Sequence, residues 1–108
     1  MKKQHSVYFR HMLTAVEQIE KYIGDYNQSS FKKDPKTIDA VIRQFEIIGE
    51  AAGKIPKNMT ADSPIPWSKI TGLRNKLIHD YFGVDTEIVW KTAREGLAPL
   101  KKYLSKKI

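Results

Sequence analysis

Between Trp67 and Gly83 the chain sets Arg74, Asn75, His79 and Tyr81 close together in one short run. Arginine is cationic at any working pH and presents a planar fork of donors that matches phosphate oxygens. Histidine is the side chain best suited to gain or lose a proton near neutrality. Asparagine can orient a neighbour or bond a phosphate oxygen, and tyrosine adds a stacking face and a hydroxyl. Together these groups suit cleavage of an RNA phosphodiester without a metal ion. The 2′-hydroxyl would attack the phosphorus, His79 would move the proton, and Arg74 would stabilise charge on the phosphoryl oxygens. Each residue also has a plainer use. Arg74 could ion-pair at the surface, His79 could sit near a helix C-terminus because the dipole favours it there, and Tyr81 could pack in the core.

Helical register constrains the chemical reading. At about 100° per residue, Arg74 and His79 lie about 140° apart on a regular helix. They share a face only if the helix unwinds by His79. Transesterification also gains from both a base and an acid, and this run holds one histidine. A two-fold dimer answers both difficulties, because it brings two copies of the run across one cleft.

Four helical segments are expected to position this run. The first covers His5 to Asn27, where Phe9, Met12, Val16, Ile19, Ile23 and Tyr26 form a narrow apolar seam. Asn27-Gln28-Ser29-Ser30 breaks that pattern. The second opens at Asp34-Pro35, an N-cap with proline in the first helical position. It buries Ile38, Val41, Ile42, Phe45, Ile48, Gly49 and Ala52 and closes at Gly53 and Pro56. After a polar loop from Lys57 to Ile65, the third starts near Pro66-Trp67, with Trp67, Ile70, Leu73 and Leu77 on one face. It ends between His79 and Gly83. Asp85 caps the fourth, whose stripe is Val89, Trp90, Ala93, Leu97, Leu100 and Leu104. Pro99 falls inside that stripe and predicts a kink or a restart, since an interior proline costs about 3 kcal/mol. No alternating β pattern competes. The expectation is one domain over residues 1–108, an all-α, antiparallel four-helix bundle.

Composition narrows the function. The chain has 108 residues, no cysteine and a net charge of +7. Without cysteine there is no disulfide framework, thiol nucleophile or zinc-thiolate site. No apolar run approaches the roughly 20 residues of a membrane span. The N-terminal residues lack the apolar stretch of a signal peptide, so the cytoplasm is the expected location. Six lysines lie at the ends (Lys2, Lys3, Lys101, Lys102, Lys106 and Lys107), and the remaining basic residues nearly balance the acids. Such tails either attract a polyanion such as RNA or simply solubilise the helix ends.

Other polar residues carry weaker signals. Asp39, Arg43, Glu46 and Glu50 follow helical spacing beside the apolar face of the second helix. They read either as solvated ion pairs worth a few tenths of a kcal/mol each or as groups that position Arg74. Neither Glu46 nor Glu50 has a histidine three residues later, so no metal site is expected. Glycine-rich phosphate loops and Ser-His-Asp arrangements are absent.

The motif Arg74-Asn75-x3-His79-x-Tyr81 resembles the signature of the HEPN superfamily, and more narrowly that of HepT-type toxins. Three flanking stretches agree: Arg43 to Ala51, Ile65-Pro66-Trp67, and Val84-Asp85 leading to Trp90. The likeness covers residues 5–104. It implies a helical bundle that dimerises with the two motifs facing each other. It further implies a metal-independent ribonuclease toxin that needs no cofactor, with Arg74 and His79 catalytic and Asn75 supporting them. The implied partner is a minimal nucleotidyltransferase antitoxin, which in this family can transfer AMP to the tyrosine that is Tyr81 here. From a different class, the same residues would serve a non-catalytic subunit that presents a nucleotide or substrate to a nucleotidyltransferase.

Overall fold

A computed structural model describes the backbone of residues 3–61, 63–78 and 85–108, and the side chains of 6–61, 63–72 and 85–108. The described residues form six α-helices and no strand: α1 (Lys3–Ile23), α2 (Gln28–Lys32), α3 (Pro35–Gly53), α4 (Trp67–Ile78), α5 (Thr86–Glu95) and α6 (Leu97–Lys107). The four expected segments are all present. One detail differs from expectation, a short helix, α2, added after α1; the fourth segment restarts, as Pro99 predicts, and so is divided into α5 and α6.

The difference lies where α1 stops. Helix α1 ends at Ile23 rather than Asn27, and Asn27 begins α2 instead of merely ending a pattern. The Asn27 side chain accepts from Ser30 N at 2.9 Å, and Asn27 N donates to Ser30 Oγ at 3.0 Å. This reciprocal cap satisfies donors that a helix start would otherwise leave unpaired. The single turn that follows buries Phe31, whose ring lies 5.2 Å from that of Trp90 on α5.

The restart lies at Gly96, three residues ahead of Pro99. A side chain there would bring its Cβ within 2.9 Å of the Thr92 carbonyl oxygen, so the close approach requires glycine. Because α6 restarts at Leu97, Pro99 falls in a first turn. Backbone N–H groups have no intrahelical partner there, and the missing donor costs little.

Helix α3 starts as the sequence predicts. Asp34 accepts from Thr37 N at 3.2 Å and from Thr37 Oγ1 at 2.9 Å. Tyr26, expected to be the last apolar residue of α1, instead turns its hydroxyl to Asp34 Oδ2 at 2.5 Å and meets Thr37 Oγ1 at 3.0 Å. This three-residue clamp ties the connection after α1 to the start of α3. The Tyr26 bond, followed by those from Thr37, holds the Asp34 carboxyl below its ordinary value. Its contribution to stability is therefore full above the unfolded-state value and is lost as pH falls through the lower folded value. The melting temperature of Tyr26→Phe should consequently fall below the parent's at neutral pH, and the gap should close in acid. A gap that is unchanged by acid would show that the clamp does not act through the carboxylate.

Buried apolar side chains from α1, α2, α3, α5 and α6 meet in one cluster, with Phe9, Phe31 and Phe45 the largest. The seam residues Phe9, Met12, Val16, Ile19 and Ile23 are all buried, as are the stripe residues Val89, Ala93, Leu97, Leu100 and Leu104. The long helices run antiparallel. Lys54 at the end of α3 lies over Tyr8 near the start of α1, and Lys101 of α6 bonds Glu20 near the end of α1. Helix α4 packs chiefly on α3. This leaves Ser68, Lys69, Thr71 and Gly72 of α4 exposed.

Candidate active site

The backbone of α4 is helical from Trp67 to Ile78 and so carries Arg74 and Asn75. Trp67 and Ile70, on the apolar face of its first turn, pack partly buried against the core. This anchors the helix that leads into the motif. The side chains of Arg74 and Asn75 lie outside the described residues, as do His79 and Tyr81 altogether. On the backbone, Arg74 and Asn75 follow Thr71 by three and four residues, which places them on the same side of α4 as Thr71.

A cleft of about 540 Å³ opens where the end of α3, the polar loop and the start of α4 converge. Lys57, Thr60, Ser63, Ser68 and Thr71 give it a polar wall, and Ile55, Ile65 and Trp67 are among its apolar lining. Its shape has local causes. A single 3-10 turn at Lys57–Met59 follows Pro56, with Thr60 N bonded to Lys57 O at 3.1 Å. Ile65 N donates to Ser63 Oγ at 3.1 Å, which turns the chain toward α4. Beneath it, the Tyr103 ring stands edge-on to Trp67 at 5.6 Å and to Phe9 at 6.4 Å. The Tyr103 hydroxyl reaches Met59 O at 3.5 Å, the long limit of a hydrogen bond. One residue of α6 thus joins α1, the loop and α4. The loop has no periodicity and no motif in the sequence that would mark a cleft. The readable signal is charge: the sequence from residue 51 to 79 holds Lys54, Lys57, Lys69, Arg74 and Lys76 and one acid, Asp62.

Arg43, Glu46 and Glu50 lie on α3. Arg43 Nη1 and Glu46 Oε1 are 3.4 Å apart, with the side chains 61% and 25% exposed, and Glu50 is exposed. The described geometry is that of a surface ion pair one turn apart, worth a few tenths of a kcal/mol. Among the described residues, no group of three or more His, Asp or Glu stands where it could hold a metal ion. No helix among them is long and apolar enough to cross a membrane. At the C-terminal end, Lys101 bonds Glu20 at 2.9 Å, which raises its pKa above the usual lysine value. The Lys107 ammonium lies 5.3 Å from the Tyr103 ring centre, while Lys102 and Lys106 are exposed.

Comparison with known proteins places this arrangement among relatives. A family profile described as "Ribonuclease HepT-like" matches residues 12–106, a span that includes the whole run from Arg74 to Tyr81. A protein of Thermococcus cleftensis named "Probable ribonuclease HepT" is 42% identical over 107 residues, covering 98% of this chain and 97% of its own length. A candidate RNase of Caldanaerobacter subterraneus subsp. tengcongensis is 38% identical over 98 residues, covering 90% of this chain and 88% of its own length. A candidate RNase of Methanocaldococcus jannaschii is 37% identical over 106 residues, covering 97% and 91%. No solved structure matches the chain.

Proposed function

The chain belongs to the HepT-like ribonuclease family, and from that premise we propose that it is a metal-independent endoribonuclease toxin whose site is built around Arg74 and His79. The observation that carries this reading is an intact Arg74-Asn75-x3-His79-x-Tyr81 run within a match that spans nearly the whole chain. His79 transfers the proton as the substrate's 2′-hydroxyl attacks the phosphorus. Arg74 stabilises the charge that gathers on the phosphoryl oxygens, and Asn75 holds the phosphate or its neighbours in place. Arg43, Glu46 and Glu50 are at most positioning residues on the adjoining helix. The protein acts in the cytoplasm, beside a minimal nucleotidyltransferase antitoxin that silences it at Tyr81.

The working unit is a homodimer in which two copies of the run share one cleft. One histidine per run and the offset of about 140° between Arg74 and His79 on a regular helix both call for a second copy. Helix α4 is suitably placed, since it packs chiefly on α3 and its described outer residues are exposed. Light scattering at micromolar concentration should give about twice the 12.5 kDa chain mass. A strict monomer that still cleaves RNA would rule out the shared cleft.

The chemistry itself is tested by the ends it leaves. Internal attack by a 2′-hydroxyl yields a 2′,3′-cyclic phosphate or its 3′-phosphate product, with a 5′-hydroxyl on the other fragment. Mass spectrometry of a cleaved oligonucleotide should find these ends. Fragments carrying a 5′-phosphate and a 3′-hydroxyl would refute the assignment, because that polarity requires an external water as nucleophile.

A further inference from the structure

The cleavage chemistry assigned to Arg74 and His79 makes no use of the cleft between α3 and α4. Three features of the cleft converge. Among the described residues, its polar wall combines one ammonium, Lys57, with the hydroxyls of Thr60, Ser63, Ser68 and Thr71, and no carboxylate lines it. The surrounding stretch from residue 51 to 79 is locally basic, with five Lys or Arg against Asp62. The cleft also adjoins the motif in helical register. Ser68 and Thr71 line it, and Arg74 and Asn75 follow Thr71 by one turn, about 4.5–6 Å further along the axis.

We propose that this cleft binds the ribose–phosphate backbone of the RNA substrate next to the cleavage point, holding the phosphate adjacent to the scissile one. The proposal rests on the reading of Arg74 and His79 as the cleaving pair. Lys57 meets the phosphate as a point charge. Because Ser63 Oγ already accepts from Ile65 N, its proton is left for a phosphate oxygen. Thr71 Oγ1 donates to Ser68 O at 3.1 Å and keeps lone pairs to accept from a ribose 2′-hydroxyl. Contacts of this kind position a strand without reading its bases. The cleft therefore extends the footprint beyond the scissile phosphate and favours longer substrates over a dinucleotide, which has no second phosphate to offer. The volume of about 540 Å³ lies within the ordinary range of ligand sites.

The test compares two substrates and two backgrounds. Lys57→Gln, Ser68→Ala and Thr71→Val are combined in one variant, with its melting temperature as the check on folding. A 12-nucleotide RNA with free 2′-hydroxyls is compared with the dinucleotide, cleavage being read at the one bond that the two share. The variant should lose about tenfold or more in kcat/KM on the longer RNA, mainly through KM, and stay within about twofold of the parent on the dinucleotide. Lys57→Gln alone should flatten the logarithmic salt dependence by about 0.7 for the phosphate contact it removes. Lys32→Gln, which removes a charge from α2 outside the cleft, should leave the preference for length unchanged. The cleft substitutions are also placed in a His79→Ala chain, where fluorescence anisotropy of the labelled RNA reads binding without cleavage. Equal RNA binding with and without the cleft substitutions would overturn the proposal. So would an equal loss from Lys32→Gln, since general attraction would then account for the effect. If instead His79→Ala cuts as fast as the parent, the cleavage reading fails, while the anisotropy comparison still decides whether the cleft holds RNA.

Discussion

His79→Ala should lower the rate of RNA cleavage by about 10²–10⁴-fold, the range expected when a proton-transfer group is removed. Arg74→Ala should lose a comparable factor, because a guanidinium aimed at the phosphoryl oxygens acts where charge accumulates in the transition state. The two losses differ in kind. Without His79 the remaining rate should lose its titration near neutrality, since no other residue of the run ionises there. Without Arg74 the pH profile should keep its shape at a lower level. Asn75→Ala should cost less than either, as a residue that orients and neither carries the proton nor bears the charge. Single-turnover kinetics on a short RNA separate these cases from changes in binding. Full activity in both alanine variants would remove the motif from the chemistry.

The second large effect concerns Tyr81. Co-expression with a neighbouring nucleotidyltransferase should add one or more AMP units to this residue and abolish cutting. In the transfer, the phenolic oxygen attacks the α-phosphorus of ATP, pyrophosphate leaves, and the phenolic proton passes to a base of the transferase or to water. The product places an anionic phosphate two residues from His79, in a run that also holds Arg74 and Lys76. It would then occupy the charge that the substrate phosphate needs. Tyr81→Phe keeps the ring and removes the acceptor oxygen. The variant should fold, retain toxicity in part or in full, and show no mass increment after co-expression. Intact-mass spectrometry decides the outcome. AMP on a different residue, or Tyr81→Phe still silenced by modification, would refute this switch and leave the ribonuclease reading in place.

Much of the scaffold was legible because helices declare themselves through periodicity and caps. The seam from Phe9 to Ile23 and the stripe from Val89 to Leu104 are buried as their spacing requires. Asp34 and Asp85 both cap the helices they precede. The misses have physical causes. Helix α2 is only five residues long and buries one side chain, Phe31, so it has no period to detect. Its signal was the Asn27–Ser30 pair, which breaks one helix and caps the next. Pro99 signalled the restart of the fourth segment, and the chain makes it three residues earlier at Gly96, where the absence of a Cβ permits it. Arg43, Glu46 and Glu50 illustrate a different limit. Spacing of three and four places residues on one face without saying what that face meets: Arg43 and Glu46 stand 3.4 Å apart with the arginine mostly exposed and the glutamate partly buried, while the Arg74 side chain that they were expected to position lies outside the described residues. The cleft was hidden for a related reason. Charge counted over the whole chain assigned the basicity to the tails, whereas the bias around Lys57 and Arg74 emerges only when that stretch is counted alone.

The central claim, that this chain cuts RNA through the Arg74–His79 run without a metal ion, is tested most directly by one incubation. Purified protein and total RNA are combined in EDTA, with His79→Ala prepared and assayed in parallel. The account predicts fragmentation by the parent that EDTA does not diminish, and near absence of fragmentation by His79→Ala. Intact RNA with the parent protein, cutting that EDTA abolishes, or equal cutting by His79→Ala would contradict it.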